Sequence, residues 1–206
     1  MGPDQGLSRG SAAIAPDPTS PASDLAGRRL IVGLGGGIAC YKLAHVVSAL
    51  AQGGADVRVA MTDAATRFVT PLTFQALSGR PVYTSQWEHH EASDPQHVAL
   101  ARDAHAMLIA PCTMNLLAKL AHGFTDDVVC LIASVFDLAR QPVLLAPSMN
   151  ARMWSQPATQ RNVEQLRADG FHVIEPAEGW QACRTEGPGR LPEPAVLVEA
   201  LRAALT

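Results

Sequence analysis

The stretch Arg29–Lys42 (RLIVGLGGGIACYK) constrains the fold of this 206-residue chain more than any other. Leu30–Val32 is an apolar run typical of a buried strand, and a glycine-rich turn follows at once. From Ile38 the spacing becomes helical, through Tyr41, Ala44 or His45, Ser48 and Ala49, so a helix opened by Ile38 is predicted. Strand, glycine turn and helix together aim backbone N–H groups and the positive helix end at an anion. Glycines let phosphate come close without a Cβ in the way. The plain alternative is a tight βα turn with no chemistry. A dinucleotide fingerprint calls for a third small residue where Ile38 stands, and for an acid closing the second strand. The chain there reads Val57-Arg58-Val59-Ala60-Met61-Thr62. A hydroxyl at Thr62 suits a flavin ribityl chain or phosphate better than an adenosine ribose, so a mononucleotide is expected.

The rest of the chain alternates strands and helices. Strands are predicted at Asp56–Met61, Val82-Tyr83, Ala106–Ala110, Val143–Ala146 and Phe171–Ile174. Thr62 caps a turn at Asp63–Phe68, and helical segments fall at Leu72–Leu77, Asp94–Arg102, Thr113–His122, Asp126–Leu138, Arg152–Ala168 (mostly helical, its regular part opened by Pro157) and Pro194–Leu205. Thr84–Asp94 and the Gly/Pro-rich segment Glu175–Pro192 read as loops. Residues 1–27, rich in Ala, Pro, Ser, Gly and Asp, read as a disordered leader before one folded domain, 28–206. Such alternation implies a parallel sheet covered on both faces, a doubly wound, Rossmann-type α/β domain with ligands at the carboxyl ends of its strands.

Composition removes several classes of function. Sixteen Lys and Arg against nineteen Asp and Glu give a net charge of −3, no attraction for nucleic acid or an anionic membrane. No apolar run approaches the roughly 20 residues of a membrane span, and no basic-then-apolar signal opens the chain. Cys40, Cys112, Cys130 and Cys183 show no CxxC or metal-ligand spacing and read as free thiols of a reducing cytoplasm.

The segments after the strands supply the candidates. Thr113 and Asn115 can serve the polar edge of a ring, or Thr113 can merely cap the next helix. Asn150, in Pro147–Trp154, offers amide donors to a carboxylate without adding charge. His97 lies in the first turn of a helix, where the dipole disfavours its protonation and a neutral base results. Gln181–Arg190 is long and Gly-rich enough for a lid carrying the Cys183 thiol, or for a plain surface loop.

Four segments in chain order carry a resemblance: Gly35–Lys42, Pro111–Asn115, Pro147–Trp154 and Ala182–Arg190, with His97 between them. Together they resemble the homo-oligomeric flavin-containing cysteine decarboxylases, most closely the phosphopantothenoylcysteine decarboxylase branch of coenzyme A biosynthesis. The resemblance covers Arg28 to about Pro194 and implies a flavodoxin-like protomer that binds FMN between subunits of a homotrimer, or of a dodecamer of trimers. Gly36, Gly37 and Ile38 would meet the phosphate end, Thr62 the cofactor on the next strand, and Phe68 the ring. Cys112, Thr113 and Asn115 match the flavin-facing segment, His97 the active-site histidine, and Asn150 the asparagine that grips the substrate carboxylate. Met153, Ala182 and Arg190 belong to the substrate-binding motifs, and Cys183 matches the loop cysteine of the pantothenate branch.

The implied reaction is decarboxylation of phosphopantothenoylcysteine through a transient thioaldehyde and an ene-thiolate, without net redox change; Cys183 supplies the final proton. Two departures stand out. Cys112, Met114 and Leu116 replace smaller or polar residues of the usual pattern, and no ligase domain follows, so the ligase that makes the substrate is expected on a separate protein. A peptide C-terminal cysteine, or a regulatory role without turnover, remains the alternative.

Overall fold

A computed structural model describes residues 22–88 and 96–206. The elements follow in order: β1 (Arg29–Leu34), α1 (Cys40–Gln52), β2 (Asp56–Met61), α2 (Asp63–Thr66), α3 (Pro71–Ser78), β3 (Val82–Tyr83) and α4 (Gln96–Asp103). Next come β4 (Ala106–Cys112), α5 (Met114–Ala121), α6 (Val128–Ala133), β5 (Val143–Pro147), α7 (Ala151–Trp154), α8 (Pro157–Ala168) and β6 (His172–Val173). Two further strands, β7 (Ala177–Trp180) and β8 (Glu186–Arg190), precede the last helix, α9 (Pro194–Ala204).

The first six strands form one parallel sheet in the order β3-β2-β1-β4-β5-β6. This is the doubly wound, flavodoxin-like arrangement the sequence implied. The central strands are apolar on both sides because both sides are covered. Leu30, Val32 and Leu34 of β1 pack with Leu43, Val47 and Leu50 of α1, Phe74 of α3 and Leu197 of α9. Ile31 points the other way, toward Leu117 of α5, Val129 of α6 and Val163 of α8. The winding direction reverses between β1 and β4, which opens a crevice at their carboxyl ends.

Several expectations shift. Ile38 does not open the first helix: Gly37–Ala39 form a turn closed by Cys40 N–H to Gly37 O, and Ile38 stands 59% exposed. Residues 22–27 are not part of a disordered leader, since Ala22 and Leu25 are buried and a 3₁₀ turn, Ser23–Leu25, packs on α1; residues 1–21 lie outside the described residues. The mostly helical stretch Arg152–Ala168 holds two helices, and the regular one, α8, opens at Pro157 as expected, with Pro157 in its first turn. The segments predicted as Asp63–Phe68 and Asp126–Leu138 hold the shorter helices α2 and α6. Asp94, Pro95 and His89–Ser93 lie outside the described residues.

The largest correction is Glu175–Pro192. It is not a bare loop but carries the antiparallel hairpin β7–β8. Gly179, Gly187 and Gly189 all adopt positive φ there, and these glycines with Pro188 disguise a strand pair as a connection.

Candidate active site

Three loops converge at the crevice. Gly35 N–H donates to Pro111 O at 3.1 Å, and a Cβ on Gly35 would lie 2.5 Å from that oxygen. A Cβ on Gly36 would lie 2.4 Å from Ala64 Cβ. Glycine here lets the loop after β1 touch the loops after β4 and β2. Among the described residues, the N–H groups of Gly36, Gly37 and Ile38 then find no protein acceptor. They stand beside the N-terminus of the 13-residue α1, where the positive end of the helix dipole favours an anion.

The hydroxyls flanking this loop are engaged in the fold. Thr62 Oγ1 donates to Leu34 O at 3.2 Å and accepts from Ala65 N–H, capping α2. Thr113 Oγ1 accepts from Leu116 N–H at 3.3 Å, so the capping alternative holds for it, while its methyl packs on Gly35. Cys112 does not face the crevice. The register shifts between Ile109 and Cys112, and the bulge turns its side chain into the core beside Met107 and Ile109. Burial pushes the Cys112 and Cys130 thiols up, as it does that of Cys40.

A cavity of about 560 Å³ opens between the start of α1, the loop after β5 and the hairpin. Gly37, Ile38, Asn150, Ala182, Cys183 and Arg190 all line it. Asn150 caps α7, its Oδ1 accepting from Arg152 N–H at 2.8 Å. Its Nδ2 donates to Cys183 Sγ, 2.9 Å away. Thr185 Oγ1 lies 3.0 Å from the same sulfur. The Thr185 hydroxyl, and after it the Asn150 amide, hold the exposed thiol below its usual range.

Arg190 is tied to Glu193 at 2.6 Å, and Glu193 also meets Lys42 Nζ at 3.0 Å. Lys42, with a side chain 8% exposed, donates as well to Leu191 O, so α1 grips the hairpin's exit. Lys42 and Gln181 received no role from the sequence. The signal for Lys42 was legible: a lysine among Cys40, Leu43 and Val46 on a buried helix face needs a partner.

His97, Phe68, Asn115 and Met153 do not line this cavity. His97 lies on α4, which packs against α6 on the face of the sheet opposite α1. Phe68 is 50% exposed after α2, Met153 is 42% exposed on α7, and Asn115 is exposed in the first turn of α5. No cluster of His, Cys, Asp or Glu suited to a metal occurs among the described residues.

The model of the family described as Flavoprotein matches residues 18–206. The chain belongs to the Flavoprotein family. Its relatives include the coenzyme A biosynthesis bifunctional protein CoaBC of Bacillus subtilis (strain 168), 43% identical over 172 residues, which are 84% of this chain and 42% of that protein. CoaBC of Escherichia coli (strain K12) is 41% identical over 175 residues, 85% of this chain and 42% of its own length. The chain thus spans about two fifths of the curated relatives it matches. Among solved family structures, the FMN-dependent cysteine decarboxylase SpaF superposes with a TM-score of 0.73 at 36% identity, over 87% of this chain and 99% of that one. A PPC decarboxylase mutant complexed with pantothenoylaminoethenethiol gives 0.77 at 26% identity, over 86% and 98%.

Proposed function

We propose that this protein is an FMN-dependent decarboxylase of 4′-phosphopantothenoylcysteine that yields 4′-phosphopantetheine. The observation that carries the reading is the Asn150 amide and Cys183 thiol 2.9 Å apart on the wall of a cavity that begins at the glycine loop. The relatives support it: CoaBC proteins act in coenzyme A biosynthesis, and a PPC decarboxylase shares the fold.

The residues fit FMN. Three N–H donors at the start of α1 suit one phosphate, and no acid closes β2 to take an adenosine ribose. Gly36, Gly37 and Ile38 would hold that phosphate, with Thr62, Phe68, Thr113 and Asn115 around the rest and Cys112 contributing backbone only. Bound FMN supplies a reversible two-electron oxidation of the cysteine side chain, whose thioaldehyde form can accept the electrons left by departing CO₂. The protein's part is to place and protonate. Asn150 is a neutral donor, and the N–H it aims at Cys183 is the one a substrate carboxylate beside that thiol would share, held without being stabilised so strongly that CO₂ loss is opposed. Cys183, exposed to the cavity and hydrogen-bonded to Thr185 and Asn150, delivers a proton to the carbon that CO₂ leaves. Uptake of one proton for each CO₂ leaves the redox state unchanged.

His97 belongs to this reading as the base of a site shared between protomers. The apolar helical stretches Leu116–Leu120 and Val128–Val135 do not supply the interface, since they pack largely in the protomer's own core: Leu116, Leu117, Val128, Val129 and Ile132 are at most 3% exposed. Ile38, Tyr41, Phe68 and Leu72 are among the large apolar residues at least half exposed, surface that a homotrimer or a dodecamer of trimers would cover.

Anaerobic single turnover of 4′-phosphopantothenoylcysteine, followed by CO₂ release and product mass, tests the reaction. Phosphopantetheine as the product supports it, and an ene-thiol released as the final product refutes it. Mixing His97→Asn with Asn150→Asp subunits tests the sharing. Activity recovered in the mixture is expected, and none above either parent refutes it.

A further inference from the structure

Gln181 is 8% exposed, although Ala182–Glu186 beside it on the hairpin are all exposed. Its carboxamide reaches across three elements. Oε1 accepts from Ala151 N–H at 3.1 Å, in the first turn of α7, and from Asn150 Nδ2 at 3.4 Å. Nε2 donates to Pro188 O at 2.8 Å and Gly187 O at 3.4 Å, on β8. The Gln181 backbone N–H donates to Thr185 O, which closes the turn that carries Cys183. A side chain that only tied β7 to β8 would need the Nε2 contacts alone. The Oε1 contacts point instead at the residue proposed to hold the substrate carboxylate.

The Asn150 amide has two N–H bonds and one oxygen. The oxygen is taken by Arg152 N–H, one hydrogen by Cys183 Sγ, and the other by Gln181 Oε1. Without Gln181 the second hydrogen has no acceptor at this wall, and the amide plane is free to turn about its cap bond. We infer that Gln181 is a positioning residue: its amide sets the plane of the Asn150 carboxamide and thereby aims one Asn150 N–H at the Cys183 thiol. The consequence for turnover rests on the decarboxylase reading; the geometry at the thiol does not.

The thiol reports the arrangement. Its hydrogen-bond partners are Thr185 Oγ1, the Asn150 amide and, at 3.5 Å, Gln181 Oε1, which accepts from the thiol. The charged neighbours Arg184 and Glu186 on the hairpin and Arg152 on α7 are all exposed. Loss of a fixed Asn150 donor destabilises the thiolate, so the thiol titrates higher. A rise of about half a pH unit lowers the thiolate fraction near neutral pH about threefold.

The test is iodoacetamide alkylation of the FMN-loaded protein across pH, read by mass spectrometry of the Cys183 peptide. Gln181→Met conserves volume and removes the acceptor. The expected result is an alkylation midpoint raised by about half a unit, with FMN content unchanged. Added to an Asn150→Ala background, Gln181→Met should move the midpoint no further, because residues acting through one another are not additive. An unmoved midpoint in Gln181→Met overturns the inference. So does an equal shift in the Asn150→Ala background, which would mean that Gln181 acts on the thiol directly or through the hairpin alone. Should Gln181→Met fail to load FMN, Gln181→Ala carries the same expected and refuting results. Alkylation uses no substrate, so a coupled shift in a protein that leaves 4′-phosphopantothenoylcysteine untouched supports the positioning role and refutes the reaction.

Discussion

Gly189→Ala is the sharpest single test of how the hairpin is seated. Gly189 has φ +115°, and a Cβ there would lie 2.4 Å from Met149 O, a backbone atom that no rotamer change can move. Gly189 O also accepts from Met149 N–H at 2.9 Å, which stitches β8 to the loop leading to Asn150. Alanine at this φ costs about 1–3 kcal/mol. Relief of the contact breaks the stitch, worth about 1 kcal/mol more. The sum, about 2–4 kcal/mol, falls on the hairpin, because β7 and β8 form a sheet of their own. At 1.4 kcal/mol per tenfold, the hairpin opens about 30 to 1,000 times more often. Trypsin cleavage at the exposed Arg184 under native conditions reads that opening directly. Turnover should fall with it while the glycine loop still holds FMN. Cleavage at the wild-type rate would refute the assignment of Gly189 as the stitch, and of the stitch as what sets Asn150 against Cys183.

Gly36→Ala forces a Cβ to 2.4 Å from Ala64 Cβ and 2.8 Å from its carbonyl carbon, so the loops after β1 and β2 must part; FMN affinity by fluorescence titration should weaken about tenfold or more, roughly 1.4 kcal/mol. Phe74→Ala empties the largest fully buried side chain of the α1–α3 face and should cost about 3–5 kcal/mol in denaturant unfolding, with FMN binding spared below the transition. Lys42 holds the Glu193 carboxyl below its usual range. A depressed folded value means the pair stabilises above the unfolded value of 4.5 and loses that contribution as pH falls through the lower folded one. Lys42→Met should therefore cost about 1 kcal/mol at pH 7 and progressively less below about pH 4, measured by thermal melts across pH.

What the sequence disclosed follows local rules. β2 runs from Asp56 to Met61 as predicted, because Gly53-Gly54 stop the preceding helix and Thr62 caps the next. The α3 boundaries are set by Pro71 and by Gly79 at φ +66°. Features that depend on distant partners stayed hidden. The bulge between Ile109 and Cys112 is a matter of β4–β5 register, and it alone decides that Cys112 faces the core. The hairpin is written in glycines at positive φ, which read as a loop until a neighbouring strand is known. Ala22 is buried because Gly53, 31 residues later, leaves room for its carbonyl 2.4 Å from where a Cβ would stand. Composition alone could not have shown that.

The polar groups of the site divide by what already holds them. The hydroxyls of Thr62 and Thr113 cap helices, Arg190 and Lys42 converge on Glu193, and Gln181 spans α7 and β8. Capacity remains in the N–H groups of Gly36, Gly37 and Ile38 and in the Cys183 thiol. The first can take an anion at one end of the cavity, and the second can exchange a proton at the other. Among the described residues no carboxylate or imidazole lines the wall between them, so the proposed reading takes the base for a substrate thiol from outside this cavity. The histidine proposed as that base, His97, sits on α4 against α6. Ile38 and Tyr41, exposed at the mouth of this cavity, are the apolar surface that the proposed second copy would cover.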